Sequence, residues 1–311
     1  MASYGARFST FWDSLPANTR GAVWMVASAL GFTVMATLIK YLGHGYSAPL
    51  QAFYRQIGGF IVLLPLIIRN PAVWHTTRIG ILLFRASAGT LGMILSFYAF
   101  QEMPLAQANA LSFTRTLWMV PLAAFVVREV VGLPRVVAAL AGFVGVVVML
   151  GPQVIASGLE IGWPAAAMLG SAFLFALTVT GMKVMTRDHG PSTLLVWSAA
   201  LGLVFSLPGA VFTWRWPGPV DLALLGAMGV VGTFTQFCYI KGMSIGEAGA
   251  MAPIDYIRLV FTAAAGFFLF AEVPTVWTLA GAAIVVASTL YITWREQNAS
   301  QAVRARAVPA G

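Results

Sequence analysis

Residues 121–151 read PLAAFVVREVVGLPRVVAALAGFVGVVVMLG, and residues 263–288 read AAAGFFLFAEVPTVWTLAGAAIVVAS. Both follow one plan. An apolar run meets a short break carrying a single glutamate (Glu129, Glu272) and a proline, and a second run rich in glycine and alanine follows. Neither stretch alternates apolar and polar residues, as a half-buried strand or a membrane β-strand must. A helix that is apolar on every side is stable only inside a large core or a bilayer.

The rest of the chain decides between core and bilayer. Of its 311 residues, 59% are hydrophobic and 9% are charged, and the mean hydropathy is +0.84. A soluble domain is about one quarter charged. So few polar residues cannot cover a surface in water, so the chain is read as a membrane protein. Runs near the roughly 20 residues that span a bilayer fall at 21–40, 50–68, 79–101, 106–127, 134–151, 162–184, 191–213, 219–242, 248–271 and 274–294. The expected fold is therefore all-α, with ten transmembrane helices. The expected organisation is a lead at 1–20, a first repeat at 21–151, a second at 162–294 and a polar tail at 295–311. The lead lacks a basic start, apolar core and small-residue cleavage site, and reads as cytoplasmic, with no cleaved signal peptide.

Charge supplies orientation. Of the 18 Lys and Arg residues, 12 fall in the lead, the tail and alternate connections, including Arg69, Arg128, Arg187 and Arg295, against Lys40 and Arg215 on the other side. This bias places both termini in the cytoplasm of a bacterial cell whose inner membrane the chain spans. Because the basic residues are scattered between apolar runs, the net charge of +8 suits membrane topology better than nucleic acid. The lone Cys238 excludes a disulfide framework, and His44, His75 and His189 lie outside the apolar runs, so no metal site and no cofactor are expected.

Sliding the chain on itself by 143 residues places Lys40 on Lys183, Arg115 on Arg258 and Glu129 on Glu272, with Gly59 on Gly202 and Pro65 on Pro208. Lys, Arg and Glu are rare here, so three such matches at one offset mark an internal repeat. Five helices per repeat force the second half upside down relative to the first. That is the inverted topology of many secondary transporters, in which a midplane site is exposed alternately to either side. A chain that carries both halves needs no second copy, so a functional monomer is expected.

With ten helices, a five-plus-five repeat and the segments 121–151 and 263–288, the chain resembles the EamA family of the drug/metabolite transporter superfamily over roughly residues 20–295. In that family a glutamate closes the fourth and ninth helices, as Glu129 and Glu272 do here. The stretch from Glu129 to Gly142 is longer than its counterpart from Glu272 to Gly281. The resemblance implies a transporter and not an enzyme, and it extends to amino-acid exporters of the YddG type. The expected function is export of amino acids, aromatic or large neutral ones among them, or of related small metabolites. A drug, nucleoside or sugar transporter of the same fold is the alternative. The resemblance also implies a cavity lined by the first, third, fourth, sixth, eighth and ninth helices.

Charges inside a bilayer are costly and face protein or water. Arg115 and Arg258 are candidates to hold a substrate carboxylate, for which a guanidinium fork is matched; the alternative is a structural ion pair. Asp255, three residues before Arg258, is expected to pair with it, or else to couple transport to protons. Tyr98, Gln101, Gln236 and Tyr239, with Asn109, are candidates for polar contacts to substrate or for helix–helix hydrogen bonds. Trp118 is a candidate aromatic wall with Phe32, Phe175 and Tyr98. Pro65, Pro121, Pro208 and Pro253 read as hinges or tolerated kinks, and Gly229 as a close helix contact. An intramembrane enzyme needs clustered acids or a Ser/His or metal constellation, a channel needs repeated carbonyls or charged rings, and a nucleotide-driven pump needs a phosphate loop. None of these patterns occurs.

Overall fold

The computed structural model describes residues 15–76, 79–125, 132–156, 162–185, 191–246, 251 and 254–307. Among them every regular element is helical. The helices are α1 (Ala17–Gly43), α2 (Ala48–Arg69), α3 (Ile79–Glu102), α4a (Leu105–Ser112), α4b (Thr114–Phe125), α5 (Leu133–Ala156), α6 (Trp163–Met185), α7 (Pro191–Phe212), α8 (Pro219–Ile245), α9 (Ile257–Phe270) and α10 (Val276–Ala307). Each begins or ends within a few residues of an apolar run, save α10, which continues well past its run into the polar tail. Glu129, Arg78, Arg128, Arg187, His189 and Pro253 lie outside the described residues, as does the side chain of Lys183.

Among the described residues, six helical segments are long and apolar enough to cross a membrane: α1, α2, α3, α5, α8 and Val276–Arg295 of α10. Shorter apolar stretches cover Trp163–Val179, Val196–Phe212 and Ile257–Phe270. The expected fourth and ninth spans fall short of an unbroken span for a specific reason. Phe113 interrupts one helix between α4a and α4b, and Tyr256 is a turn residue just before α9. The two interruptions stand 143 residues apart, which is the offset of the repeat. Their local bonding also matches. Thr116 donates its amide to the carbonyl of Phe113, and Leu259 donates to that of Tyr256; both are the tighter i to i−3 pattern of a distorted turn.

Packing obeys the same symmetry. α1 packs on α8 as α6 packs on α3, α4b lies on α6 as α9 lies on α1, and the equivalent pairs α2–α7 and α5–α10 pack on each other. Gly89 faces Thr178 and Gly92 faces Leu174, so α3 and α6 run antiparallel. Gly43 lies against Gln101, so α3 ends where α1 ends. α6 therefore starts at the end of the bundle where α1 finishes, and the halves are inverted. Bare backbone permits the closest crossing: a methyl on Gly58 of α2 would sit 2.7 Å from the Cα of Gly229 on α8. The core is a continuous cluster running from Ile39 and Leu50 through Phe97 and Leu111 to Met228. Outward residues such as Ile68, Val147, Phe212 and Phe268 are large, apolar and exposed, as a lipid-facing surface requires.

Candidate functional site

Two clusters join the halves, one at the centre of the bundle and one at the end where α1 finishes. The central one is built on the two helix interruptions. Phe113 and Tyr256 stack there with ring centroids 4.4 Å apart. Arg258, in the first turn of α9, places its guanidinium carbon 4.2 Å from the Phe113 ring centroid and 4.7 Å from that of Phe32 on α1. The cation is thus held by two ring faces, an attraction that strengthens away from water. Its Nη2 donates to Ser112 Oγ at 3.3 Å, and its buried Nε has no hydrogen-bond partner among the described residues.

A small polar frame fixes this geometry. Asn109 on α4a donates to Thr262 Oγ1 on α9 at 2.9 Å, and Thr262 donates to the Arg258 carbonyl at 2.8 Å. Ser112 donates to the carbonyl of Asn109 at 2.7 Å. The Tyr256 hydroxyl is bonded to Thr289 of α10. Arg115, Asp255 and Tyr239 lie within electrostatic reach of Arg258. The centre therefore holds two guanidinium groups, one carboxylate and two phenols among aromatic rings. Such a set can hold a carboxylate, face a neighbouring cation and stack a planar ring.

The expected intrahelical pair of Asp255 with Arg258 is not formed: among the described residues the two are not in ion-pair contact. A spacing of three brings side chains together only on a continuous helix, and the turn at Tyr256 separates these two. Arg115 makes no hydrogen bond within the described residues. Trp118 packs on Phe143 and Phe173, Phe32 pairs with Phe100, and Phe32, Tyr98 and Phe175 lie against the main core cluster. Tyr98 is half-buried against the core. Gln236 is exposed. Gln101 sits away from the centre, donating to the Tyr46 carbonyl at 3.2 Å. Pro65, Pro121 and Pro208 are inside helices.

The second cluster closes the far end. Lys40 in the last turn of α1 forms an ion pair with Glu272, just past α9, and donates to the Met103 carbonyl at 2.6 Å. Glu272 also accepts the Leu105 amide at 2.7 Å, so it caps the N-terminus of α4a, where a negative charge is favoured. Around this pair Tyr46 donates to Asp221 at 2.7 Å, Ser47 bonds Thr213 at 2.5 Å and Arg215 donates to the Gly45 carbonyl at 3.3 Å. All three bonds run between the first half and the second.

Sequence reasoning used Lys40 and Glu272 as repeat markers, Lys40 also for orientation and Glu272 for the family resemblance, without pairing them, and it passed over Phe113, Tyr256, Ser112 and Thr262. One signal was available: in both halves an aromatic residue stands two positions before the arginine, Phe113 before Arg115 and Tyr256 before Arg258.

The model of the EamA-like transporter family matches residues 19–151 and 162–294. The S-adenosylmethionine uptake transporter of Rickettsia prowazekii (strain Madrid E) is 32% identical over 295 residues, covering 92% of this chain and 96% of that one. The riboflavin transporter of Vibrio cholerae is 29% identical over 294 residues, covering 92% of this chain and 96% of that one. Solute carrier family 35 member G1 of the mouse is 28% identical, covering 90% of this chain and 80% of that one. A protein of known crystal structure shares the fold with a TM-score of 0.55 at 18% identity, over 85% of this chain and 95% of that one. None of these relatives is named for free amino acids, so the expectation of amino-acid export draws no support from them.

Proposed function

The chain belongs to the EamA-like transporter family, and we propose that it takes up a carboxylate-bearing heterocyclic metabolite of the S-adenosylmethionine kind. It is a multi-pass transporter of the bacterial inner membrane and not an enzyme. The observation that carries the choice of substrate is Arg258, a guanidinium held between two rings with donor capacity left over. An S-adenosylmethionine-like molecule offers what the central cluster lacks. Its carboxylate takes the free donors of Arg258, with Arg115 adding attraction. Its ammonium and sulfonium charges face Asp255. Its purine finds a stacking surface at Phe113, Tyr256 and Tyr239. Relatives named for S-adenosylmethionine uptake at about one-third identity support this reading.

In this account the chain crosses the membrane ten times with both termini in the cytoplasm and works as a monomer. The Lys40 end is then extracytoplasmic, and the structure corresponds to the state closed on that side. Substrate arrival from outside requires the Lys40–Glu272 cluster to part, with the two halves pivoting about the turns at Phe113 and Tyr256. Riboflavin is the second reading, favoured by the ring-lined centre and by the relatives named for it. It carries no carboxylate, so it leaves the two arginines without a ligand. The test is uptake of labelled S-adenosylmethionine by vesicles containing the protein, with unlabelled S-adenosylmethionine, riboflavin and phenylalanine as competitors. Saturable uptake competed by the first and not by the others supports the reading. Absence of uptake, or competition by riboflavin alone, overturns it.

A further inference from the structure

Arg55 on α2 plays no part in either cluster, and its surroundings are unusual for a charged group. It projects inward to where α1, α3 and α8 meet. A methyl built on Gly232 of α8 would lie 3.1 Å from Arg55 Nε and 3.2 Å from Met35 Sδ of α1. On the α3 side, Arg55 Nη1 is 3.2 Å from Met93 Sδ. The same nitrogen donates to Gln56 Oε1 at 3.2 Å, and Nε is buried with no partner among the described residues. A guanidinium carries five N–H donors; here they meet one amide oxygen and one thioether, a weak acceptor. Among the described residues no carboxylate pairs with it. Arg85, also in this half, is bonded to Ser198 at 2.5 Å.

Arg55 is half-buried, and a cation drawn partly out of water without a counter-charge carries a desolvation cost that packing alone does not return. The bundle nevertheless makes room for it, since the Gly58–Gly229 crossing draws α2 against α8 and Gly232 leaves space over Nε. The position is also specific. Met35, which shares the space over Gly232 with Arg55, follows by three residues, about one helical turn of α1, the Phe32 whose ring meets Arg258. Two guanidinium groups thus lie against neighbouring turns of one helix, and both keep unfilled donors.

We propose that Arg55, framed by Met35, Met93 and Gly232, is a second carboxylate-binding point, set against α1 one turn from the residue that meets Arg258. It deepens the reading of Arg258 as a carboxylate anchor: a substrate's carboxylate passes between the two guanidinium groups on its way along the bundle. The ligand class is an organic monocarboxylate, which the fork receives in place of the Met93 sulfur.

The test uses the full-length protein in detergent at constant ionic strength, with benzoate as probe and benzamide and chloride as controls. Thermal unfolding is followed as each is titrated. A saturable upward shift is expected with benzoate alone. The shift persists in Arg258→Gln, disappears when Arg55→Gln is added, and returns in part with Arg55→Lys in the same background. Gly232→Ala, which keeps the charge but crowds Nε, weakens the shift at least several-fold and serves if Arg55→Gln does not fold. A shift that survives the double substitution overturns the proposal, as does one already lost in Arg258→Gln, one matched by chloride, or no shift in the unmodified protein. The readout does not depend on the cargo. An Arg55-dependent benzoate shift without S-adenosylmethionine uptake removes the cargo and keeps the site, while uptake without such a shift removes the site and keeps the cargo.

Discussion

Lys40 and Glu272 lie 232 positions apart in the sequence and form an ion pair that fastens the end of α1 to the end of α9. Each side chain is 14% exposed, and each also bonds the main chain of the α3–α4a junction. One pair therefore holds three helix ends from two repeats. Removing one partner leaves the other charge poorly satisfied in a mostly buried place.

Charge reversal at either position is expected to open this end. With Cys238 replaced by Ala and a cysteine placed at Ser47, a membrane-impermeant thiol reagent should label Lys40→Glu or Glu272→Lys about tenfold faster than the parent, for a shift of about 1.4 kcal/mol. Combining the two reversals restores slow labelling. Equal labelling in all four proteins removes the pair as a latch.

The same end contains a titrating bond. Donation to Asp221 raises the Tyr46 phenol above its usual 10.0. A raised pKa stabilises the folded form fully below the range where free tyrosine ionises, and the contribution disappears as pH rises through the higher folded value. The bond should hold throughout neutral pH and fail only in strong alkali. Labelling at Ser47 should therefore accelerate above about pH 10 in the parent, and Tyr46→Phe should abolish that acceleration.

Ala271 has φ 55°, a left-handed conformation in a residue with a side chain. It turns the chain so that the Glu272 amide reaches the Gly266 carbonyl at 3.0 Å and the carboxylate folds back over Gly266. Holding alanine there costs about 1 kcal/mol. Ala271→Gly should raise the unfolding midpoint and leave transport unchanged, whereas Ala271→Val should lower both. A glycine variant less stable than the parent contradicts this account of the turn.

Asp255 is the acid in electrostatic reach of Arg258, and it stands free of an ion pair with that arginine among the described residues. Asp255→Asn is expected to abolish the pH dependence of net transport while leaving exchange of labelled for unlabelled substrate intact. Unchanged pH dependence removes Asp255 from coupling.

Much of the architecture is legible in the chain itself. The α2, α3 and α7 boundaries fall within about two residues of the apolar runs because lipid demands uniform apolarity, which leaves a strong signal. The halves are legible because Lys, Arg and Glu are scarce enough for a shared offset to stand out. The interruption at Phe113 is not legible, since neither glycine nor proline marks it and its contact with Tyr256 comes from the other half. The equivalent turn at Tyr256 misdirected the reading of Asp255 with Arg258. Gln101 was grouped with Tyr98 because the two share α3, yet it is held at the Lys40 end by the Tyr46 carbonyl. Arg55 looks in the sequence like any arginine near a helix end; only the bare surface of Gly232 shows how far inward it reaches.

The central claim is that Arg258 holds the carboxylate of an S-adenosylmethionine-like cargo. It is tested most directly by uptake of labelled S-adenosylmethionine into vesicles containing either the parent or Arg258→Gln, with folding of both confirmed. Loss of a charge-assisted bond of about 1.5–3 kcal/mol predicts a KM raised about 10- to 150-fold, with Arg258→Lys only partly restoring it. Equal KM values in the parent and Arg258→Gln would contradict the account.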